Sequence, residues 1–204
     1  MNRKSTLVFT TAALVLMVSF SLLAQNGPAN RNRIGVPGSG LCVGCTAAST
    51  SPQALTADEK AWLLFMREEE KLARDVYQVL GVKYNLRIFA SIAKSEQRHF
   101  DAIGTLITRY GLDDPAAGKG TGEFTTESGL QTVYDTLIGQ GAASAVEALK
   151  VGVAIEELDI EDLKEAVAGT KQADILRVYS NLLLGSERHL DSFVSCLEVL
   201  GVTL

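Results

Sequence analysis

The sequence predicts an all-α protein: a four-helix bundle of two antiparallel helical hairpins, joined by a long crossover that holds one short extra helix. Three observations predict it. Beyond Ala54 the chain has a single proline, Pro115, so long stretches are free of helix breakers. Apolar residues there recur in steps of three and four, and no convincing run alternates with period two, so no sheet is expected. The third observation is a repeat. The two histidines, His99 and His189, stand in near-copies of one phrase, Ser95-Glu96-Gln97-Arg98-His99-Phe100-Asp101 and Ser186-Glu187-Arg188-His189-Leu190-Asp191. A coordinating residue type placed twice beside carboxylates points to a duplicated hairpin around a metal site.

The elements follow in order. Thr56 with Glu59 forms a capping box, and the helix it opens carries an apolar stripe at Leu63, Met66, Ala73, Tyr77 and Leu80, with Gly81 as its expected end. A second helix is expected from Leu86 to Tyr110, with Phe89, Ile92, Ile103, Leu106 and Tyr110 on one face and Gly111 as its stop. Residues 111–129 are rich in Gly, Asp and Thr and form the crossover, followed by a short helix from Leu130 to about Ile138. Ser144 and Glu147 make another capping box, opening a third main helix to Val167. After a break at Gly169 and Thr170, the fourth runs from Gln172 to Leu200.

Bulk properties narrow the functional class. The chain of 204 residues, 47% hydrophobic and 21% charged, has room for one globular domain and an extra segment. Its net charge of -5, with Lys and Arg interleaved among Glu and Asp, argues against a nucleic-acid partner, because phosphate binding needs clustered basic residues. The extra segment lies at the start. Arg3 and Lys4 precede an uncharged apolar run from Ser5 to Ala24, which reads as a secretory leader cleaved after Ala24 or, uncleaved, as a membrane anchor. Either way the remaining chain is expected outside the cytoplasmic membrane, periplasmic or extracellular, and touching the membrane only through that segment. Residues 25–54, with Pro28, Pro37 and Pro52 among Asn, Gly, Ser and Thr, read as a flexible linker, which leaves 55–204 as the domain. Cys42-Val43-Gly44-Cys45 falls in the linker, where a local disulfide is the plain reading, and Cys196 reads as a small buried hydrophobe.

The metal reading rests on where ionisable residues fall in the apolar series. On the second helix the series Phe89, Ile92, Glu96, His99, Ile103, Leu106, Tyr110 places Glu96 and His99 inside the buried stripe. A buried carboxylate costs several kcal/mol unless it is paired or bound to metal, and Glu-x-x-His aims both groups from one face at one centre. On the first helix both Glu69 and Glu70 continue apolar series, Glu70 being preferred, and Glu68 is expected in solvent. On the third helix the series Val146, Leu149, Val153, Glu156, Ile160, Leu163, Val167 favours Glu156. Matching Glu69-Glu70 to Glu156-Glu157 across the two halves favours Glu157, the preferred residue. The fourth helix offers His189, but aligning Arg188-His189 with Arg98-His99 puts Ser186 where Glu96 stands, so the second Glu-x-x-His is absent. Glu187 is a reserve, since it lies roughly 200° around the helix from His189. The expected ligands are Glu70, Glu96, His99, Glu157 and His189, with Glu69, Glu156 and Glu187 in reserve. Such oxygen and imidazole donors suit iron, manganese or zinc. Tyr77 and Tyr110 fall on core-facing series, as packing residues or as donors to a ligand carboxylate.

Arg67 to Tyr77, then Phe89 to His99, Ile155-Glu156-Glu157-Leu158-Asp159-Ile160 and Ser186-Glu187-Arg188-His189-Leu190 together resemble a bacterial and archaeal ferritin-like domain family of uncharacterised function, over about Leu55 to Leu204. More distantly, Glu70 with Ala73 and Tyr77, then Glu96 with His99, resembles the first hairpin of rubrerythrins. The resemblance implies a ferritin-like four-helix bundle and redox-active non-haem iron that reacts with a small oxidant, peroxide or dioxygen, with one or two metals at the centre. The competing expectations are metal storage and a non-catalytic helical module tethered at the envelope. Self-association is left open.

Overall fold

The computed structural model describes residues 54–204. The leader, the linker and Cys42-Cys45 lie outside the described residues. Five helices occur among those described, and no strand: α1 (Ala57–Tyr84), α2 (Arg87–Arg109), α3 (Leu130–Gly141), α4 (Ala145–Gly169) and α5 (Ala173–Val199). None of them is long and apolar enough to cross a membrane.

The expected capping box opens α1: the Thr56 hydroxyl accepts from the Glu59 N–H at 3.1 Å, and the Glu59 carboxylate accepts from the Thr56 N–H at 2.9 Å. The second box is half-formed. Ser144 accepts from the Glu147 N–H, whereas the Glu147 carboxylate takes the ammonium of Lys150 at 2.9 Å. Gly81 does not end α1. The helix continues to Tyr84 and is closed by Asn85 at φ 53, a left-handed position that asparagine tolerates better than most residues. Gly81 instead serves close packing, since a Cβ there would stand 2.9 Å from the Cβ of Phe89. Only Asn85 and Leu86 separate α1 from α2, so the two must run antiparallel as a hairpin.

The second hairpin, α4 and α5, packs on the first, α4 against α1 and α5 against α2. Tyr77 reaches Gly152 and Glu156 of α4, while Trp62 meets Gly169, so α1 and α4 are antiparallel. Therefore α2 and α4 run the same way, and the segment between them must climb the length of the bundle. Its route is drawn by polar bonds to α1. Arg67 pairs with Asp114 at 2.8 Å, Lys71 donates to the Gly120 carbonyl at 2.6 Å, Asp75 accepts from the Gly122 N–H at 2.9 Å, and Tyr84 donates to the Gly141 carbonyl. Glu68 is consequently buried and not in solvent, its two oxygens accepting from the N–H and hydroxyl of Thr125. The sequence offered no sign of this, because the covering segment is polar.

Two apolar layers fill the interior. One contains Trp62, Leu63, Met66, Ile103, Leu106, Leu163, Ile175, Tyr179 and Leu182. The other centres on Tyr77, Phe89 and Phe193, whose ring centroids lie 5.3–5.9 Å apart. Between them lies a layer of charged side chains.

Glu68→Ala should cost about 1–3 kcal/mol in denaturant unfolding, the cost of leaving the part-buried Thr125 donors without an acceptor. Amide exchange should rise in residues 118–128 and stay unchanged in α5. A stability change within about 0.5 kcal/mol, the usual scatter of surface substitutions, would show that the clamp does not hold the crossover.

Candidate metal centre

Four helices converge on the charged layer. α1 brings Glu70, α2 brings Glu96 and His99 one turn apart, α4 brings Glu156 and α5 brings His189. Their donor atoms form two triads, Glu70/Glu96/His99 and Glu96/Glu156/His189, and within each the atoms lie within 4.8 Å of one another. Glu96 is common to both. One of its oxygens is 2.8 Å from His99 Nδ1 and the other 2.7 Å from His189 Nδ1. Glu70 approaches His99 Nδ1 at 3.3 Å, and Glu156 approaches His189 Nδ1 at 3.5 Å. The imidazole rings stack at 5.5 Å with 29° between their planes. All three glutamates are 1% exposed, whereas His99 and His189 keep 8% and 9%, so the layer meets solvent on its imidazole side.

The contacts are short, yet several of these atoms make no hydrogen bond. Glu70 Oε1, Glu96 Oε1 and both Nδ1 atoms are buried without one, because the approaches to Nδ1 miss the direction of a ring N–H. Four of the five donor groups that face the common centre therefore keep a buried atom without a hydrogen bond. Unpaired buried carboxylates cost several kcal/mol each, and a cation among them removes that cost. The donor set, three carboxylates and two imidazole nitrogens, fits a hard to borderline divalent metal. Around it, the Tyr77 hydroxyl donates to Glu156 Oε1 at 2.7 Å, which orients that carboxylate and leaves Oε2 for the centre. Gly185 makes room for His99: a Cβ there would lie 2.6 Å from Nε2.

The structure brings together Glu70, Glu96, His99 and His189 from the expected set. Glu157 is not with them. It is exposed, one residue and so ~100° around α4 from the buried Glu156, which takes its place. The apolar series pointed to the right residue, and the alignment of the two halves misled because their glutamate pairs do not share a register. Glu187 is exposed as well. Glu69 is buried but turned to α4, where Asp162 and Asp159 are its neighbours. Tyr110 lies away from the centre and donates to Asp174 at 2.8 Å. Cys196 is free and half-buried. Asp159 was missed by sequence reasoning. It is 5% exposed, three residues beyond Glu156 on the same buried face, and its Oδ2 accepts from the Ser186 hydroxyl at 2.5 Å. Its spacing from Glu156 was the available signal.

These features define the class: an all-helical bundle with a buried carboxylate and histidine cluster at its middle. Residues 59–204 match the family described as an uncharacterized protein domain, DUF2202, and the chain belongs to that family. It is 44% identical over 154 residues to the uncharacterized protein MJ0754 of Methanocaldococcus jannaschii, covering 76% of this chain and 83% of the relative. The crystal structure of that hypothetical protein aligns with a TM-score of 0.73 at 43% identity, over 77% of this chain and 89% of the other.

Without a cation, protons must settle the charge of the cluster. Burial favours the neutral imidazole of His99, but the Glu70 and Glu96 carboxylates outweigh it and push the group up to about 11. His189 is raised in the same way to about 9 by Glu156 and Glu96. Burial works to raise Glu96, yet the two imidazolium neighbours hold it at about 2. Burial raises Glu156 to about 8 and Asp159 to about 7, and it lifts Glu70 well above the carboxylate range with help from Asp159.

These shifts fix a sign. A group raised on folding adds stability that is complete below its unfolded value and is lost as pH climbs through its folded value. That holds for His99, His189, Glu156 and Asp159. Glu96, held low, acts the other way, and its contribution fades only as pH falls from 4.5 toward about 2. The chelator-treated protein should therefore lose thermal stability as pH rises from about 5 to about 9, the span that holds the folded values of Asp159, Glu156 and His189, with His99 carrying the loss on toward about 11. Added divalent metal should oppose that trend, since ligation needs the deprotonated groups. Melting curves across this range with chelator and with manganese(II) check it; a chelator-treated protein whose stability climbs over the same range contradicts it.

Proposed function

We propose that this chain is a ferritin-like metal protein with iron as its resident metal, reacting with a small oxidant, peroxide or dioxygen, in the exported compartment. The observation that supports this reading is the buried layer in which Glu70, Glu96, Glu156, His99 and His189 face one another, with atoms of Glu70, Glu96, His99 and His189 left without a hydrogen bond. Iron bound there would supply electrons to the oxidant. The rest falls to the chain. Glu70, Glu96 and Glu156 offset the metal charge, and Glu96, with one oxygen toward each imidazole, is the residue able to serve two positions at once. Tyr77 keeps Glu156 in orientation through its O–H.

An approach from solvent exists on the histidine side. A cleft of about 310 Å³ between α2 and α5 is lined by His189 together with Ser95, Arg98, Gly185 and Arg188. A molecule the size of peroxide or dioxygen fits it many times over. Apolar layers lie above and below the charged layer. Residues 1–24, read as a leader or anchor, are the basis for export.

Elemental analysis of protein expressed with supplemented metal is the direct test. Iron is expected in stoichiometric amount, with affinity falling by at least about tenfold in His99→Ala, the scale seen when support around a metal is removed. Peroxide consumption should be lost in Glu96→Ala. Retention of no iron, manganese or zinc by the wild-type protein would overturn the reading, while bound iron without peroxide or dioxygen turnover would indicate storage.

A further inference from the structure

The second half of the bundle lacks the glutamate that the first half places three residues before its histidine. Ser186 stands there, fully buried. A serine hydroxyl cannot offset metal charge, so α5 contributes one neutral imidazole and nothing more. Three carboxylates, Glu70, Glu96 and Glu156, leave two divalent cations one negative charge short of balance.

A fourth carboxylate lies against the same layer. Asp159 sits on α4, three residues after Glu156, and is 5% exposed. Its two oxygens have different fates. Oδ2 accepts from the Ser186 hydroxyl at 2.5 Å, and Oδ1 is buried with no hydrogen-bond partner. The side chain therefore meets, through Oδ2, the very residue that replaces the missing glutamate, while Oδ1 stays unpaired. It is close enough to Glu70, Glu96, Glu156 and His99 to act on their charges or be acted on by them.

We propose that Asp159 is the fourth carboxylate of a two-cation centre, supplying from α4 the negative charge that α5 lacks at Ser186, and that Ser186 positions it. This inference rests on the metal-binding reading above. Ser186 acts through Asp159: its hydroxyl, which also lies 3.1 Å from the Leu182 carbonyl of its own helix, fixes Oδ2. Glu69, the other buried acid nearby, has Asp159 and Asp162 of α4 as its charged neighbours, whereas the imidazole of His99 is approached by Glu70 and Glu96.

The test is a count of cations. Chelator-treated full-length protein is titrated with cobalt(II), following bound metal by equilibrium dialysis and the visible spectrum of the cobalt. Wild type should take up two per chain. Asp159→Asn, nearly the same shape with no charge, should keep one and weaken the second at least about tenfold. Ser186→Ala should weaken the second site to a lesser degree. Glu69→Gln should still bind two. Asp159→Ala with Ser186→Glu rebuilds Glu-x-x-His on α5 and should restore two, which no general damage to folding would do. The proposal is overturned if wild type binds one cation, or if Asp159→Asn binds two with unchanged affinity; in both cases the metal-binding reading survives. No binding by wild type overturns that reading and this proposal with it.

Discussion

The rest of the structure depends on one constraint: a layer of carboxylates and imidazoles buried between two apolar layers of a helical bundle. Its three glutamates are 1% exposed, and the helices cannot separate to admit water to them without exposing Trp62, Met66 and Leu182 on one side and Tyr77, Phe89 and Phe193 on the other. The layer must be neutralised where it stands. Protons do this in part, with Glu96 ionised between two imidazolium rings, and divalent cations would do it more completely. The fold thus specifies an interior that is costly when empty and favourable when occupied, which is the energetic form of a binding site.

The other buried charges answer to a different demand. Lys71, Asp75, Arg67 and Glu68 lie on faces of α1 next to Glu70, yet each is saturated by the crossover or by its neighbours. The Lys71 ammonium meets Asp75 at 2.6 Å, and Asp75 accepts from Arg74 through its other oxygen. These residues carry the connection that α2 and α4, running in the same direction, make unavoidable. Within five consecutive residues, 67–71, the chain places crossover anchors and a centre-facing glutamate, distinguished only by the face each takes. Glu68 has both oxygens bonded to the crossover, while Glu70 retains an orphan oxygen and approaches His99.

Much of this was legible in the sequence. Steps of three and four gave the helices, and the same steps put Glu96 and His99 inside a buried stripe. What failed came from signals that periodicity does not carry. Gly81 read as a terminator because glycine commonly follows helices, but here it is small so that Phe89 can approach, and Asn85 does the terminating. Glu68 read as exposed because it falls on neither of the apolar series that take in Glu69 and Glu70. Glu157 was preferred on an alignment of halves that assumed a stricter duplication than the chain kept, while its own helix pointed to Glu156. The Asp159 spacing from Glu156 marked it as buried, but its pairing with Ser186 runs between helices and leaves no local trace.

The central claim is that a metal belongs at the point where Glu96 meets both imidazoles. Diffraction from crystals of the protein grown with iron(II) or manganese(II), measured above the metal's absorption edge, tests it most directly. An anomalous peak among Glu70, Glu96, Glu156, His99 and His189 is the predicted result. Anomalous signal confined to surface carboxylates, with the buried layer held together by protons and hydrogen bonds alone, would contradict it.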